Sequence, residues 1–257
     1  MSLYDADFAE LRIRIPSRRR TLGDASRLER NVLLILRDVF PDAYEWIATG
    51  EPNKPIPISF EDEKVFTDTI VKLRKTNSRS RNHNPESLSY NADSVPHLST
   101  TKNGFYTPSP RNPLRPHPDD SVSWSVWFSL GRPEGMYEHV NISFPSAVAQ
   151  SRDEAAKVEL LLERLIIALG PEDARFAVTH FDRAFWKVHH RIGWLTYFSQ
   201  PSICEHLLGD FRVRPFHHGV ILKLSDDPKD MLRDQFVKQS FEFCQSLIPY
   251  WPPQLEN

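Results

Sequence analysis

The sequence predicts an α+β fold, in which a mixed and largely antiparallel sheet is flanked by helices. Stretches such as residues 121–130 alternate apolar and polar side chains with the period of two that a strand requires. Elsewhere apolar residues recur at helical spacing behind two Ser-x-x-Glu motifs, at Ser26 and Ser151. With 257 residues, of which 40% are hydrophobic and 26% charged, the chain can form a single domain over 1–257 with a substantial core.

The first part of the chain predicts two strands with a helix between them. Residues 11–15 alternate apolar and basic side chains, and residues 44–47 have the composition of a second short strand. The capping box Ser26-x-x-Glu29 predicts the start of the helix, which should end before Pro41.

The next stretch predicts a second helix and then a long excursion. Ser59 is expected to cap the helix, with Phe66, Ile70 and Leu73 along its buried side. Residues 76–120 contain seven of the chain's 21 prolines. Long loops without secondary structure are uncommon in compact domains, so this segment is interpreted as a partly ordered excursion over the surface.

The middle of the chain predicts a hairpin followed by a long helix. The alternating strand at 121–130 precedes a second one at 139–144, which is its expected antiparallel partner. The capping box Ser151-x-x-Glu154 should open a helix that closes at Gly170.

An internal similarity suggests two related α/β units. The order strand, Ser-x-x-Glu helix, proline, acid and strand occurs over residues 11–47 and again over 140–178, as an internal duplication would produce. The strand that ends the second copy is expected to lead into a short helix capped by Asp182.

The last third is organised around residues 191–199, whose aromatic and β-branched side chains predict a buried central strand with Trp194 in the core. Residues 211–214 and 219–224 are interpreted as a hairpin. The sequence Asp227-Pro-Lys-Asp230 has a cap, a proline and a first-turn acid, and predicts the start of a final helix.

The composition excludes several classes of protein. A net charge of -2 disfavours a general nucleic-acid binder, and no apolar run is long enough to span a membrane. The first residues lack the basic and apolar regions of a secretion signal, so we expect a cytoplasmic protein. Cys204 and Cys244 are expected to be buried free thiols.

Known catalytic and cofactor motifs are absent from the sequence. The best enzymatic lead is the concentration of histidines in the last third, namely His180, His189, His190, His206, His217 and His218. Their spacing does not form a metal site, so no metal or cofactor is expected, although a small metal- or histidine-dependent hydrolase that uses these histidines remains an alternative. A regulatory domain that binds nucleic acid through the basic residues 17–20 is a third interpretation.

The segment 192–199, followed by residues 218–224, resembles the C-terminal signature of immunity family 52, a family of bacterial polymorphic-toxin immunity proteins. Members share a Gly-Trp-x-x-Tyr strand, then a glycine-led apolar strand and a terminal helix. The residues that fit this signature are Gly193, Trp194, Tyr197 and Gly219. The motif-level similarity is confined to about residues 174–248.

This resemblance implies a non-catalytic cytoplasmic inhibitor that binds a cognate toxin delivered by a secretion system. The toxin would be a nuclease with a restriction-endonuclease-like fold, and the inhibitor would touch neither nucleic acid nor membrane directly. Since a nuclease presents a basic substrate cleft, exposed acids are its natural complement. The predicted partner-binding acids are Asp226, Asp227 and Asp230, with Glu61 and Asp62 as a second set.

Overall fold

The computed structural model describes residues 9–16, 22–41, 46–51, 54–59, 61–76, 103–108, 124–130, 137–144, 148–149, 151–185, 191–210 and 212–251. The chain forms two compact units. We call Pro16–Ile142 the central unit, and Met1–Ile15 together with Ser143–Asn257 the terminal unit.

The described elements follow one another in this order: β1 (Ala9–Pro16), α1 (Leu22–Val39), β2 (Trp46–Glu51), β3 (Lys54–Ile58), α2 (Glu63–Thr76), β4 (Asn103–Pro108), β5 (Ser125–Ser129), β6 (Tyr137–Phe144), α3 (Arg152–Leu169), β7 (Asp173–Val178), α4 (Thr179–Ala184), β8 (Leu195–Phe198), α5 (Pro201–Leu207), β9 (Val213–Phe216), β10 (Gly219–Lys223) and α6 (Asp234–Leu247). The predicted α+β class, with antiparallel strands and flanking helices, is confirmed. No helix among the described residues is both long and apolar enough to cross a bilayer.

In the terminal unit the strand order is β1-β7-β8-β10-β9, and each neighbouring pair is antiparallel. β1 buries Ala9, Leu11, Ile13 and Ile15 on one face, which leaves its charged side chains on the other. In the central unit β3, β2, β4 and β5 are neighbours in that order. Phe66 and Ile70 of α2 are buried there as expected.

Helix α3 has the boundaries that the sequence predicted. The hydroxyl of Ser151 accepts a hydrogen bond from the amide of Glu154 at 3.4 Å, as in a capping box. Gly170 closes the helix in the left-handed conformation, with φ at 56°. A residue without a Cβ takes this conformation at little cost, which is why glycine ends so many helices.

The predicted starts of α1 and α2 are wrong. α1 begins at Leu22, so Ser26 and Glu29 lie inside the helix and are buried. The hydroxyl of Ser26 instead shares a 2.9 Å hydrogen bond with that of Thr67 on α2. Asp62 rather than Ser59 caps α2, since its carboxylate accepts from the amide of Val65 at 2.9 Å.

Two predictions in the last third also need correction. Asp182 does not cap a helix, because it lies inside α4, and its carboxylate faces a group of arginines. Asp227 does cap a helical turn, through a 3.0 Å bond from the amide of Lys229, but the turn is a short 3-10 helix over Pro228–Leu232. The long final helix α6 starts only at Asp234.

The signature residues lie where two strands approach unusually closely. A Cβ on Gly193 would come within 2.2 Å of the carbonyl oxygen of Phe176, and one on Gly219 within 2.0 Å of that of Phe198. No side chain fits at such distances, so both positions require glycine. Trp194 and Tyr197 are each only 1% exposed, which confirms that Trp194 is a core residue.

Each unit has one edge strand that contains proline, namely β9 in the terminal unit and β3 in the central unit. In β9 the amide of Val213 is bonded to the carbonyl of Asp210, and Pro215 has no amide hydrogen. The register with β10 directs both residues away from that strand, so this stretch of the free edge offers no amide donor. β3 carries Pro55 and Pro57 at alternate positions. Proline at an edge discourages the addition of a further strand.

Several other expectations are resolved only in part. Of residues 76–120, the structure describes Thr76 and β4, which pairs with β2 and β5. The rest of that segment, like the histidines at 189–190 and the basic residues 17–20, lies outside the described residues. The duplication is not confirmed, because the boundaries of the two units do not follow the two repeats. Both cysteines are free; Cys244 is buried and Cys204 partly so.

Replacing Trp194 with alanine should lower the free energy of unfolding by about 4 kcal/mol, as large aromatic truncations in cores do. Its ring packs edge-on against Phe176, and its Nε1 donates to the carbonyl of Ser225 at 2.8 Å. Trp194→Phe is the matched control, since it keeps most of the packing and should cost about 1–2 kcal/mol. Chemical denaturation measures both; an unchanged midpoint for the alanine variant would contradict the core assignment.

Gly219→Ala should destabilise the protein more than Gly170→Ala does. The new methyl group at 219 would overlap the backbone of β8. At 170 it meets nothing within 4 Å, so the only penalty is that of alanine in the left-handed conformation, about 1 kcal/mol. Denaturation midpoints of the two variants make the comparison. Equal midpoints would show that β8 and β10 can move apart to accept the methyl group without a further loss of stability.

Candidate functional site

The predicted partner-binding acids of the terminal unit lie in the connection after β10. Asp226 is exposed and lines a pocket of about 290 Å³. Asp227 caps the following 3-10 turn, and Asp230 forms a 2.9 Å ion pair with Arg233. Two of the three acids therefore have a local structural role, and Asp226 presents its side chain to solvent.

The second set lies in the central unit. Glu61 is 71% exposed and pairs with Arg37 of α1, and its carbonyl accepts a 2.8 Å bond from Arg30. Asp62 is the cap of α2. Glu61 thus connects the start of α2 to α1, and the side chains of both acids remain accessible to solvent.

Beside Asp226, Glu159 of α3 joins two basic side chains of the hairpin β9–β10. Its carboxylate lies 3.1 Å from Arg214 and 3.0 Å from Lys223. Burial alone would raise the pKa of Glu159, but the hydrogen bonds and charges of Lys223 and then Arg214 outweigh it and lower that pKa. Arg214 also pairs with Glu163 of α3, so two carboxylates balance two cations and the network fixes α3 to the hairpin.

A second group of charges in the terminal unit surrounds Asp182, and no sequence motif had marked it as a site. Arg12 of β1 and Arg175 of β7 are directly opposite each other in the antiparallel register. Like charges in that position repel, so an anion between them is needed. Asp182 supplies it, with one carboxylate oxygen bonded to Arg175 and the other 3.4 Å from Arg12 and 3.3 Å from Arg191.

Helix α4 is held in place by aromatic packing on a neighbouring face. Phe181 stacks on Phe185 with ring centroids 4.8 Å apart, and the two rings contact Phe236 and Phe241 of α6. Phe181 and Phe185 are fully buried. A one-residue change in the phase of α4 would therefore expose a phenyl ring, so this packing fixes the direction of Asp182.

The electrostatics of the group leave an excess of positive charge. Burial would raise the pKa of Asp182, but the charges of Arg175, Arg12 and Arg191 together with the Arg175 hydrogen bond lower it. The pKa of Arg191 is lowered, first by burial and then by repulsion from Arg175 and Arg12, even though Asp182 acts in the opposite sense. Burial would lower the pKa of Arg12, but the hydrogen bond with Glu10 and the charges of Glu10 and Asp182 raise it. Two carboxylates therefore stand against the three guanidinium groups.

These side chains line a pocket of about 130 Å³, which we call the Asp182 pocket. Its lining residues are Glu10, Arg12, Arg175, Ala177, Thr179, Asp182, Arg183 and Arg191. Glu10 is bonded to Arg12 at 2.6 Å. Because these residues are far apart in the sequence, no motif predicted that they form one site. The alternating basic residues of β1 were visible in the sequence, but they predicted only a solvent-exposed face.

The histidines of the last third do not come together within the described residues. His180 lies on α4 and is 3.5 Å from Asp234, His206 stacks on Tyr250, and His217 and His218 form the turn between β9 and β10. No cluster of three or more His, Cys, Asp or Glu side chains suited to a metal ion occurs in the part of the chain that the structure describes. The burial of Cys244 raises the pKa of its thiol to about 11, so it is a poor nucleophile.

No protein-family model matches this chain, and no curated protein matches it in sequence. The similarity to immunity family 52 therefore depends on the signature residues themselves. Among solved structures, the fold is similar to that of a Pseudomonas aeruginosa T6SS protein, PA0821. The alignment has a TM-score of 0.47 and 8% identity, and covers 91% of this chain and 76% of that chain. A structural similarity at this level does not indicate what the protein does.

Asp182→Asn should lower the free energy of unfolding by about 3 kcal/mol at pH 7, because it leaves the largely buried guanidinium of Arg175 without its bonded counter-charge. The folded pKa of Asp182 is lowered, so its stabilisation is present above the ordinary carboxylate pKa of about 4 and is lost as the pH falls through the folded value. Urea denaturation between pH 7 and pH 3 should show the difference between wild type and variant narrowing below about pH 4.

Asp68→Asn is the matched control for this substitution. Asp68 pairs with Lys64 one turn away at 2.9 Å, and both side chains are exposed. Exposed pairs of this kind contribute little to stability, because solvent screens their charges. If the two variants were equally stable, Asp182 would have no special role in the terminal unit.

Proposed function

We propose that this chain is a non-catalytic immunity protein, which binds a cognate secreted bacterial toxin and neutralises it. The observation that carries the proposal is the arrangement of the four signature residues. Gly193, Trp194 and Tyr197 lie at and just before β8, and Gly219 begins the adjoining strand β10. The terminal helix α6 follows, so the order of elements is the one that the family signature describes.

The surface of the terminal unit supports recognition through side chains rather than through strand addition. Its edge strand β9 is protected by Pro215 and by the bond from Val213 to Asp210. An exposed aromatic side chain is available instead, since Tyr250 is 38% exposed and stacks on His206 with ring centroids 3.7 Å apart. Large aromatic side chains are frequent energetic centres of protein interfaces.

The proposed partner is a nuclease toxin with a restriction-endonuclease-like fold, and the proposed location of the complex is the cytoplasm. The acids after β10 are the proposed complement of its basic substrate cleft. Asp226 is the best placed of them, because it is exposed and adjoins the pocket beside Glu159. Neither a cofactor nor a metal is needed for inhibition by occupancy.

The test is co-expression with the product of the neighbouring gene, which such systems encode as the toxin. Cells should survive induction of that toxin only when this protein is present, and the two proteins should elute together at a fixed ratio in gel filtration. A stable inhibitory complex should bury on the order of 1,000 Å² or more. Survival without a physical complex would instead indicate an enzyme that repairs the damage.

Asp226→Asn tests the contact surface and should weaken toxin binding about fivefold, mainly through a slower association rate. Its stability should be unchanged, since the side chain is exposed. Asp68→Asn is the control for the same change of charge in the central unit. Equal association rates for both variants, measured by surface plasmon resonance at two salt concentrations, would remove Asp226 from the interface.

A further inference from the structure

We propose that the Asp182 pocket is a binding site for a single oxyanion, namely a carboxylate or a phosphate group. The proposed function does not assign any role to this pocket, and the proposal does not depend on toxin inhibition. Its ligand is an anion, whereas the acidic residues proposed above for the toxin contact would bind a basic surface.

The charges that line the pocket are unequal. Four guanidinium groups face the space, from Arg12, Arg175, Arg183 and Arg191, against the two carboxylates of Glu10 and Asp182. Glu10 is already bonded to Arg12. A concave, partly enclosed surface with one excess sign of charge concentrates ions of the other sign.

The geometry shows that Asp182 binds Arg175 closely and the other two arginines at longer distances. Ideal hydrogen bonds between a guanidinium and a carboxylate measure about 2.7–2.9 Å. The contacts of Asp182 with Arg12 and Arg191 are longer, at 3.4 and 3.3 Å, because the same oxygen serves both. A second oxyanion in the pocket would bring negative charge to the side of these arginines that Asp182 holds only at the longer distances.

The two halves of the site are fixed before any ligand arrives. Arg12 and Arg175 are held opposite each other by the register of β1 and β7, and Arg175 is only 9% exposed. Asp182 is fixed by the packing of α4 on α6. The lowered pKa of Arg191, which burial and the neighbouring arginines cause, agrees with an excess of positive charge. An anion would relieve repulsion that already exists in the folded protein.

The size of the pocket limits the ligand to a compact group. Pockets for drug-sized ligands measure about 300–1,000 Å³, whereas this one measures about 130 Å³. The planar fork of a guanidinium matches the oxygens of a carboxylate or a phosphate in a bidentate manner. One such group fits the chemistry and the volume, and the hydroxyl residue Thr179 lies in the lining as a further polar side chain.

The oxyanion has two conceivable sources, a free ion or a side chain of another molecule. A larger groove of about 590 Å³ adjoins the pocket, since Arg183 lines both. Its lining includes Val237, Phe241 and Lys238 of α6. A peptide that placed a carboxylate in the pocket would therefore have an apolar surface available beside it.

The experiment measures the melting temperature of the whole protein against increasing inorganic phosphate, with sodium chloride holding the ionic strength constant. A bound anion stabilises the folded state by RT ln(1 + [L]/Kd), so the melting temperature should rise with saturation at concentrations on the order of millimolar. Acetate and a capped Ala-Glu-Ala peptide are the second and third probes, and the Ala-Gln-Ala peptide is the uncharged control. Phosphate-dependent saturation indicates a free ion as the source, and a tighter response to the glutamate peptide than to acetate indicates a carboxylate carried on a chain.

Arg191→Gln should weaken binding of the effective probe about tenfold or more, since hydrogen bonds to charged groups are strong. Arg183→Gln is a second variant that removes an arginine of the pocket lining. Its side chain is exposed on α4, so the substitution should not unfold the protein. Arg164→Gln on the exposed side of α3 removes the same charge elsewhere and should leave binding unchanged.

Three results would overturn the proposal. The first is the absence of a saturable response to phosphate, acetate and the glutamate peptide alike. The second is an equal loss of binding in Arg164→Gln and Arg191→Gln, which would reveal a general charge effect. The third is an equal response to the glutamate and glutamine peptides without any response to the free ions.

Discussion

The repulsion between Arg12 and Arg175 is the constraint on which the charged face of the terminal unit depends. The register of β1 and β7 places these side chains opposite each other, where two like charges destabilise a sheet. Asp182 offsets the repulsion, but it can do so only if α4 packs in one orientation. The rings of Phe181 and Phe185 against α6 enforce that orientation. One carboxylate thus connects two strands, a short helix and the segment that carries Arg191.

The signature glycines determine how closely backbone segments of the same unit approach each other. Gly193 allows its segment to approach the backbone of β7, and Gly219 allows β10 to approach the end of β8. Trp194 and Tyr197 fill the core beside them. These residues therefore determine how the strands pack, and they make no contact surface. A protein that shares them shares a scaffold, while the choice of partner depends on the residues exposed around it.

Charged residues in this protein divide between those that hold elements together and those that remain available. Asp62 and Asp227 cap helical turns, and Glu159 joins α3 to the hairpin β9–β10. Asp226 is exposed beside that hairpin, and the Asp182 pocket combines both roles, since its arginines are partly neutralised and still exceed their counter-charges. Prolines at the edges of both units leave side chains, rather than free backbone, as the means of recognition.

The sequence by itself determined the α+β class, the boundaries of α3, the β9–β10 hairpin and the burial of Trp194, because each depends on local periodicity, a cap or a turn. It misplaced the starts of α1 and α2. In α1 the hydroxyl of Ser26 bonds to Thr67 of α2 instead of capping the helix, and α2 is capped by Asp62, three residues after the predicted cap. It also assigned Asp182 to a cap, which is the common local use of such a residue. Only the tertiary structure decided that Arg12, Arg175, Asp182 and Arg191 meet, because strand register and helix packing bring together charges from distant parts of the chain, and no local pattern encodes that proximity.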